Sequence, residues 1–332
     1  VDEPLWIVTG AAGFLGNVLV RQLLAAGARV RACVHGDHVP LALQGLECEQ
    51  VSMDVTDPAS VVAAFTADGP VRVVHCAGIV SIAGTVSEAV RQVNVGGTRA
   101  VLDACRAVAA QRLVYVSSVH AIAEPDPPAV IRELDRAADF DPDRVVGEYA
   151  KTKAEATREV LAATDVSRVV VHPSGLIGPW DFGETHLTRL IRDASTGRLP
   201  IAVPGGYDFV DVRDVASGIV AAASHGADGR TYLLTGHFAD IADVAGTAAE
   251  LSGRRRPRVM PMWLAKAIAP AAELWYRMRR TKPLFTAYSL HTLGAPAQFS
   301  HERATRELGY APRPLDNTLR DTVAWLAGHP GR

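Results

Sequence analysis

The sequence predicts an α/β protein with a doubly wound parallel sheet. Three observations carry this expectation. Short apolar runs suited to buried strands recur through the first 118 residues. Stretches with apolar residues at helical spacing separate them, and alternating strands and helices build parallel sheets. The runs also end in small or hydroxyl-bearing residues, Thr9-Gly10, Cys76-Ala77-Gly78 and Ser117-Ser118, at the edge where such sheets bind ligands.

The first run, Leu5-Trp6-Ile7-Val8, leads into Thr9-Gly10-Ala11-Ala12-Gly13-Phe14-Leu15-Gly16. Asn17 to Ala26 then places Val18, Leu19, Gln22, Leu23 and Ala26 at helical spacing, and Gly27 closes the helix. A strand, a glycine turn and a helix in that order form a dinucleotide-binding unit. Glycine lets the main chain approach a ligand closely. The helix start offers free N–H groups and a positive dipole end to a pyrophosphate. Gly10, Gly13, Phe14, Leu15 and Gly16 are therefore candidate cofactor contacts, although the spacing is G-x-x-G-x-x-G rather than G-x-G-x-x-G.

Arg29 to Val34 reads as the second strand, whose end faces the adenosine ribose in such folds. An acid there would favour NAD. The tip here is Val34-His35-Gly36-Asp37, with no acid on the last strand residue. His35 tolerates a 2′-phosphate, so NADP is the expected cofactor, with NAD the alternative if Asp37 turns inward. Glu49 to Met53 is the third strand. In the following Asp54-Val55-Thr56-Asp57-Pro58, Asp57 or Thr56 caps a helix that starts with Pro58. Asp54, with Val55 beside it, is placed to meet the adenine. Val71 to His75 is the fourth strand, and Cys76, Ala77 and Gly78 leave room for the cofactor at its end. His75 reads as structural; no second histidine lies at ligand spacing, and no metal is expected. Val86 to Ala109 is helical in pattern but contains Asn94-Val95-Gly96-Gly97-Thr98, which is costly in a helix. Such a local violation marks a functional constraint. Leu113 to Ser118 is the fifth strand. The Pro- and Asp-rich loop from Glu124 to Arg144 is expected to cover part of the site.

Composition narrows the class. Hydrophobic residues make up 48% of 332, enough for a large core. The net charge is -2 and no long basic run exists, which argues against nucleic acid as a partner. Cys33, Cys48, Cys76 and Cys105 form no C-x-x-C pair and read as reduced core residues of a cytoplasmic protein. No signal peptide is expected, since a strand begins almost at once. The apolar stretch from Met260 to Tyr276 is interrupted by Lys266, Pro270 and Glu273 and is too short to span a membrane.

The chemistry concentrates in Tyr149-Ala150-Lys151-Thr152-Lys153, which opens a helix running to about Ala163. Tyr149 and Lys153 are four apart and share a face. A free phenol titrates near ~10, and a neighbouring ammonium favours the phenolate. The pair is therefore suited to giving or taking a proton at an alcohol or ketone. With seven tyrosines and few lysines, about 0.08 such pairs arise by chance. Ser118 supplies a hydroxyl to polarise a carbonyl, with Ser117 as the alternative if the register slips by one. Neither Ser118 nor Ser174 lies in a G-x-S-x-G elbow, which argues against a serine hydrolase.

Taken together, T-G-A-A-G-F-L-G, D-V-T-D, H-C-A-G, N-V-G-G-T, V-S-S, Y-A-K-T-K, H-P-S-G-L-I-G-P and F-V-D-V-R-D-V-A resemble the extended short-chain dehydrogenase/reductase family, of NAD-dependent epimerase/dehydratase type. They run from residue 5 to residue 216 in the family's order. The resemblance implies a Rossmann domain and a smaller C-terminal substrate-binding lobe. It divides the chain into 1–172, with 209–235 returning to that domain, and a lobe of 173–208 and 236–330. Phe209 to Val212 and Thr231 to Leu234 are then strands that rejoin the main sheet. Tyr149 is implied as general acid/base, Lys153 as holder of the nicotinamide ribose and Ser118 as support for the substrate oxygen. Asn94 belongs to the polar network. Pro173, Gly175 and Leu176 line the nicotinamide. A homodimer is possible in this family.

At the substrate end, His186 to Thr196 reads as a helix and Leu199 to Val203 as a strand. Leu315 to Leu326 is an amphipathic helix packed on the lobe. Met260, Met262, Trp263, Leu264, Ile268, Leu274, Trp275, Tyr276 and Met278 serve either as core or as a wall for an apolar substrate. Nucleotide-sugar members carry Arg-Pro where His172-Pro173 stands, and an arginine near Asp208-Phe209 where Tyr207 stands. Losing those arginines removes a bidentate grip on a diphosphate. The sequence is more similar to dihydroflavonol-reductase-like and 3β-hydroxysteroid-dehydrogenase-like members. The expected activity is interconversion of a secondary alcohol and a ketone on an apolar small molecule. A nucleotide-sugar epimerase or dehydratase is the alternative, since Arg189, Arg192 and Arg198 could still hold a diphosphate.

Overall fold

The computed structural model describes residues 3–36, 40–80, 88–125, 129–264 and 298–329. Asp37 and the apolar residues Ile268, Leu274, Trp275, Tyr276 and Met278 lie outside the described residues. The chain folds around a seven-stranded sheet in the order β10-β6-β5-β4-β1-β2-β3. The strands are β1 (Leu5–Thr9), β2 (Val30–Val34), β3 (Glu49–Ser52), β4 (Val71–His75), β5 (Arg112–Val116), β6 (Arg168–Pro173) and β10 (Thr231–Leu234), all parallel. The part 3-2-1-4-5-6 is the Rossmann order.

β1 is buried along its whole length, as a central strand with covered faces must be. Helices α1 (Phe14–Ala25) and α7 (Val212–His225) pack on one face. The opposite face carries α2 (Pro58–Phe65), α4 (Gly97–Ala107) and α5 (Glu148–Ala162). Their boundaries follow local chemistry. Gly27, at φ +78°, ends α1, and Ala28 N–H bonds back to Leu23 O. Asp57 caps α2 by accepting from Ala59 N at 3.0 Å, with Pro58 at the first helical position. Ahead of α4, α3 (Glu88–Arg91) passes into a π-helical turn over Gln92–Gly96. Such turns recur at functional sites.

The lobe has its own core, built by α6 (His186–Thr196), α8 (Ile241–Leu251) and α10 (Leu315–Gly328) around Ile191, Phe209, Val244 and Leu319. Its sheet is β11-β9-β7, with β7 (Gly175–Ile177), β9 (Gly206–Asp211) and β11 (His237–Asp240). Strands β8 (Ile201–Ala202) and β12 (Arg258–Val259) pair separately, and α9 (Glu302–Leu308) packs beside α7.

One expected strand placement is corrected. Of the two strands expected to rejoin the main sheet, β10 does so beside β6, but β9 does not. β9 runs parallel to β7, pairing Phe209 with Gly175. The Asp208 carboxylate explains the choice: it accepts from Ser174 Oγ and from Gly236 N, drawing β9 onto the chain just after β6. Val210 still packs into the core beneath the main sheet.

Candidate active site

The site forms where the strand order reverses, at the carboxyl ends of β1 and β4. Gly10 has φ +64°, and a Cβ there would lie 2.7 Å from the Ala77 backbone. A Cβ on Gly16 would lie 2.2 Å from Gly10 O. These two glycines let the turn press against the β4 loop and let α1 start tightly against the turn. Gly13 occupies the N-cap of α1, and no side chain caps the helix. Phe14 and Leu15 open the helix, so its leading N–H groups face a cradle of main chain suited to a pyrophosphate. Asn17 ties the turn to the far side of the site through Nδ2, which donates to Gly13 O, Phe14 O and Trp180 O.

The carboxyl end of β2, expected to face the adenosine, is simpler. His35 is exposed just past β2, followed by Gly36 at φ +88°. Asp54 accepts from Thr56 N and Thr56 Oγ1 at 2.8 and 2.7 Å, which holds its carboxyl below the usual range. Val55 is buried against Gly97, where a Cβ would meet Val55 Cγ2 at 2.9 Å. The glycines inside the helical pattern thus serve close packing as well as the π turn.

At the carboxyl ends of β1 and β4, Thr9 Oγ1 accepts from Ala77 N at 3.2 Å and bonds to His75 Nδ1 at 2.7 Å. The other ring nitrogen of His75 meets Thr98 Oγ1 at 3.2 Å. Burial first, and the Lys153 charge second, push His75 down to about 3. It is a neutral structural histidine. Cys76 follows it, and burial pushes that thiol up to about 12, as it does for Cys33 and Cys105. Among the described residues no cluster of His, Cys, Asp or Glu could hold a metal ion.

Asn94 sits in the π turn, buried, and clamps the β4 loop. Its Oδ1 accepts from Ile79 N at 2.8 Å, and its Nδ2 donates to Ile79 O at 3.0 Å and Thr152 Oγ1 at 3.1 Å. Thr152 Oγ1 in turn donates to Tyr149 O at 2.8 Å. One amide therefore joins the loop after Gly78 to the first turn of α5. A Cβ on Gly78 would lie 3.3 Å from Asn94 Oδ1 and 3.5 Å from Lys153 Nζ, so the glycine leaves space where those groups converge.

Tyr149 and Lys153 lie on α5 and are buried. Lys153 Nζ donates to Val116 O at 2.9 Å, two residues before Ser118, and lies 5.0 Å from the Tyr115 ring centre. Burial pushes the ammonium down to about 8. The Ser117 hydroxyl is spent on Thr157 Oγ1 at 2.6 Å. Ser118 Oγ instead accepts from His120 N at 3.2 Å, capping the turn Val119–Ala121. This distinction between the two serines depends on side-chain direction after β5.

The end of β6 supplies Pro173, and the segment after it supplies Gly175 and the half-buried Leu176. Gly175 lies under the Tyr207 ring, where a Cβ would meet Cε1 at 2.5 Å. Three contacts here had no signal in the sequence. His172 Nδ1 bonds Ser118 O at 3.0 Å, while its ring stacks on Phe140 of the covering loop. Tyr207 Oη meets His120 Nε2 at 2.6 Å.

Comparison with known proteins gives the family. The family model for the NAD dependent epimerase/dehydratase family matches residues 6–235. The chain is 34% identical to sterol demethylase protein B of Methylococcus capsulatus, over 96% of this chain and 97% of that protein. It is 30% identical to a 3 beta-hydroxysteroid dehydrogenase/Delta 5-->4-isomerase of Mycobacterium tuberculosis, over 92% and 85%. The crystal structure of gox2253 superposes with a TM-score of 0.83 at 27% identity, covering 99% of each chain. The chain therefore belongs to the NAD dependent epimerase/dehydratase family, the extended short-chain dehydrogenase/reductases, and is an NAD(P)-dependent oxidoreductase.

Proposed function

We propose that the protein interconverts a secondary alcohol and a ketone on a largely apolar, sterol-like small molecule. The carrying observation is the buried Tyr149–Lys153 pair, with Lys153 anchored to Val116 O, two residues before the Ser118 turn. A bound nicotinamide supplies or removes the hydride. Tyr149 hands a proton to the substrate oxygen or takes it away, Lys153 holds positive charge beside the phenol, and Ser118 donates to that oxygen. Gly10, Gly13 and Gly16 hold the pyrophosphate, and the chain from 173–208 and beyond 236 shapes the substrate cavity. Ile79, Val80 and Val146 leave apolar surface exposed on the segments flanking Gly78 and Tyr149, which suits an apolar substrate. The names of the sterol and steroid relatives support the same class.

The alternative, a nucleotide-sugar epimerase or dehydratase, has less to grip a diphosphate. Arg192 is bound to Glu184 at 2.7 Å and to His329 O at 2.8 Å. Tyr207 and His172 face internal partners where that class has arginines. The preferred cofactor in this reading is NADP, because no acid ends β2.

The test is a panel of hydroxysteroids and aromatic ketones assayed with NADH and NADPH, beside thermal shifts with UDP- and dTDP-sugars. The reading expects cofactor turnover with a steroid or ketone and a lower KM for NADPH. Absence of turnover together with stabilisation by a nucleotide sugar would overturn it.

A further inference from the structure

We infer that Tyr207 and His120 are a positioning pair through which the lobe sets the Ser118 hydroxyl. This rests on the reading that Ser118 supports the substrate oxygen. Tyr207 stands on β9 of the lobe sheet, and its Oη lies 2.6 Å from His120 Nε2, across 87 residues of sequence. The two rings lie 5.9 Å apart at 34°. His120 in turn donates its main-chain N–H to Ser118 Oγ at 3.2 Å. The path from lobe to hydroxyl is therefore two hydrogen bonds and one residue long.

Burial pushes His120 down to about 4, so the ring is neutral at working pH. The Tyr207 hydroxyl can donate to Nε2 or accept from it, according to which ring nitrogen carries the proton. In either tautomer the bond fixes the ring's rotation. The other end of the tyrosine is fixed as well. Its ring covers Gly175, where any side chain would collide with Cε1 at 2.5 Å, and this holds β9 against the segment assigned to the nicotinamide. The same residue thus touches the chain on the cofactor side and, through His120, the turn on the substrate side. A second anchor holds the turn from behind. Ser118 O accepts from His172 Nδ1 at 3.0 Å and from Ala121 N at 3.0 Å. With the carbonyl held by the Rossmann side and the hydroxyl oriented by His120, a lobe that shifts with its substrate moves the donor itself.

The pair is tested with Y207F, which removes only the hydroxyl, with H120L, and with H120Q, whose side-chain amide can donate to or accept from the Tyr207 hydroxyl as Nε2 does. The probe is dehydroepiandrosterone with NAD or NADP. Y207F and H120L are expected to lower kcat about ten-fold while the Kd for the cofactor stays within about two-fold, and H120Q to recover most of the loss. The double variant Y207F/H120L should lose no more than either single change, since both break one contact. Wild-type kcat in both single variants would overturn the proposal, as would equal losses of kcat and cofactor affinity. If the unaltered enzyme does not turn the steroid over with either cofactor, the substrate reading fails separately. The pair is then decided by hydrogen exchange at the His120 amide. Exchange about ten-fold faster in Y207F at unchanged melting temperature supports it, and unchanged exchange overturns it.

Discussion

Replacing Lys153 with methionine should stabilise the cofactor-free protein while abolishing its turnover. The ammonium is buried, and burial has pushed it from 10.5 to about 8. At about 1.4 kcal/mol per pH unit, holding that charge inside costs roughly 3 kcal/mol at pH 7. Methionine fills a similar volume without a charge. It also leaves Val116 O without the donor now 2.9 Å away, a loss of roughly 1–3 kcal/mol. The balance is a gain of about 0–2 kcal/mol, in the direction expected when a functional group is kept at the expense of stability. The pH dependence isolates the cause. A base with a depressed folded value holds its proton in the unfolded chain after the folded chain has lost it. Stability contributed by this group therefore rises from about pH 8 towards 10.5 in the unaltered protein, and K153M lacks that rise. Urea melts at pH 7 and pH 9 measure both effects. A K153M protein destabilised by more than about 2 kcal/mol at pH 7, or one with the same rise to pH 9, would refute the reasoning.

The remaining predictions concern packing and acid. N94L breaks three hydrogen bonds that hold the Ile79 backbone and Thr152, and should cost roughly 2–4 kcal/mol in urea melts with a larger loss of cofactor affinity than of helix content. G16A places a Cβ against Gly10 O and should weaken NADPH binding at least about ten-fold by fluorescence titration, whereas G27A, in open space, should leave binding unchanged. His75, His120 and His172, pushed by burial to about 3, about 4 and about 4, are neutral when folded and charge in the unfolded chain below its value of 6.5. Their contribution is present above pH 6.5 and lost as the pH falls towards 4. Asp208 and Glu133, raised by burial, act in the opposite direction. Denaturant melts should show a net loss of roughly 3–5 kcal/mol from pH 7 to pH 5, and equal stability at the two values would contradict this.

What the sequence could express was local. The β1 run, the glycine turn and Gly27 are set by neighbours in the chain, and they appear where composition and spacing place them. The bounds of α6 match the expected His186 to Thr196, because the amphipathic pattern and Gly197 at φ +76° define them locally. The Tyr149–Lys153 face was legible for the same reason: a helix converts a four-residue spacing into adjacency. The placement of β9 was not legible. It depends on Asp208 gathering Ser174 and Gly236, contacts that no periodicity encodes. The contrast between Ser117 and Ser118 needed the partner on α5, Thr157, to be known. His172 and Tyr207 stood out only as positions where nucleotide-sugar members carry arginine; that His172 from β6 and Tyr207 from the lobe meet at the Ser118 turn needed the tertiary structure. Asn94 gave a signal, since an Asn-Val-Gly-Gly stretch defies helix propensity, yet its form as a π turn was beyond propensity to state.

The most direct measurement of the central claim follows the two hydrogens separately. Wild-type enzyme and Y149F are each given a ketosteroid and NADPH carrying deuterium at both C4 positions of the nicotinamide, and the product alcohol is analysed by mass spectrometry. The account predicts one deuterium on the carbinol carbon from the wild-type enzyme and a rate at least about 100-fold lower from Y149F at unchanged cofactor affinity. Deuterium transfer by Y149F at the wild-type rate, or an alcohol formed without deuterium, would contradict it.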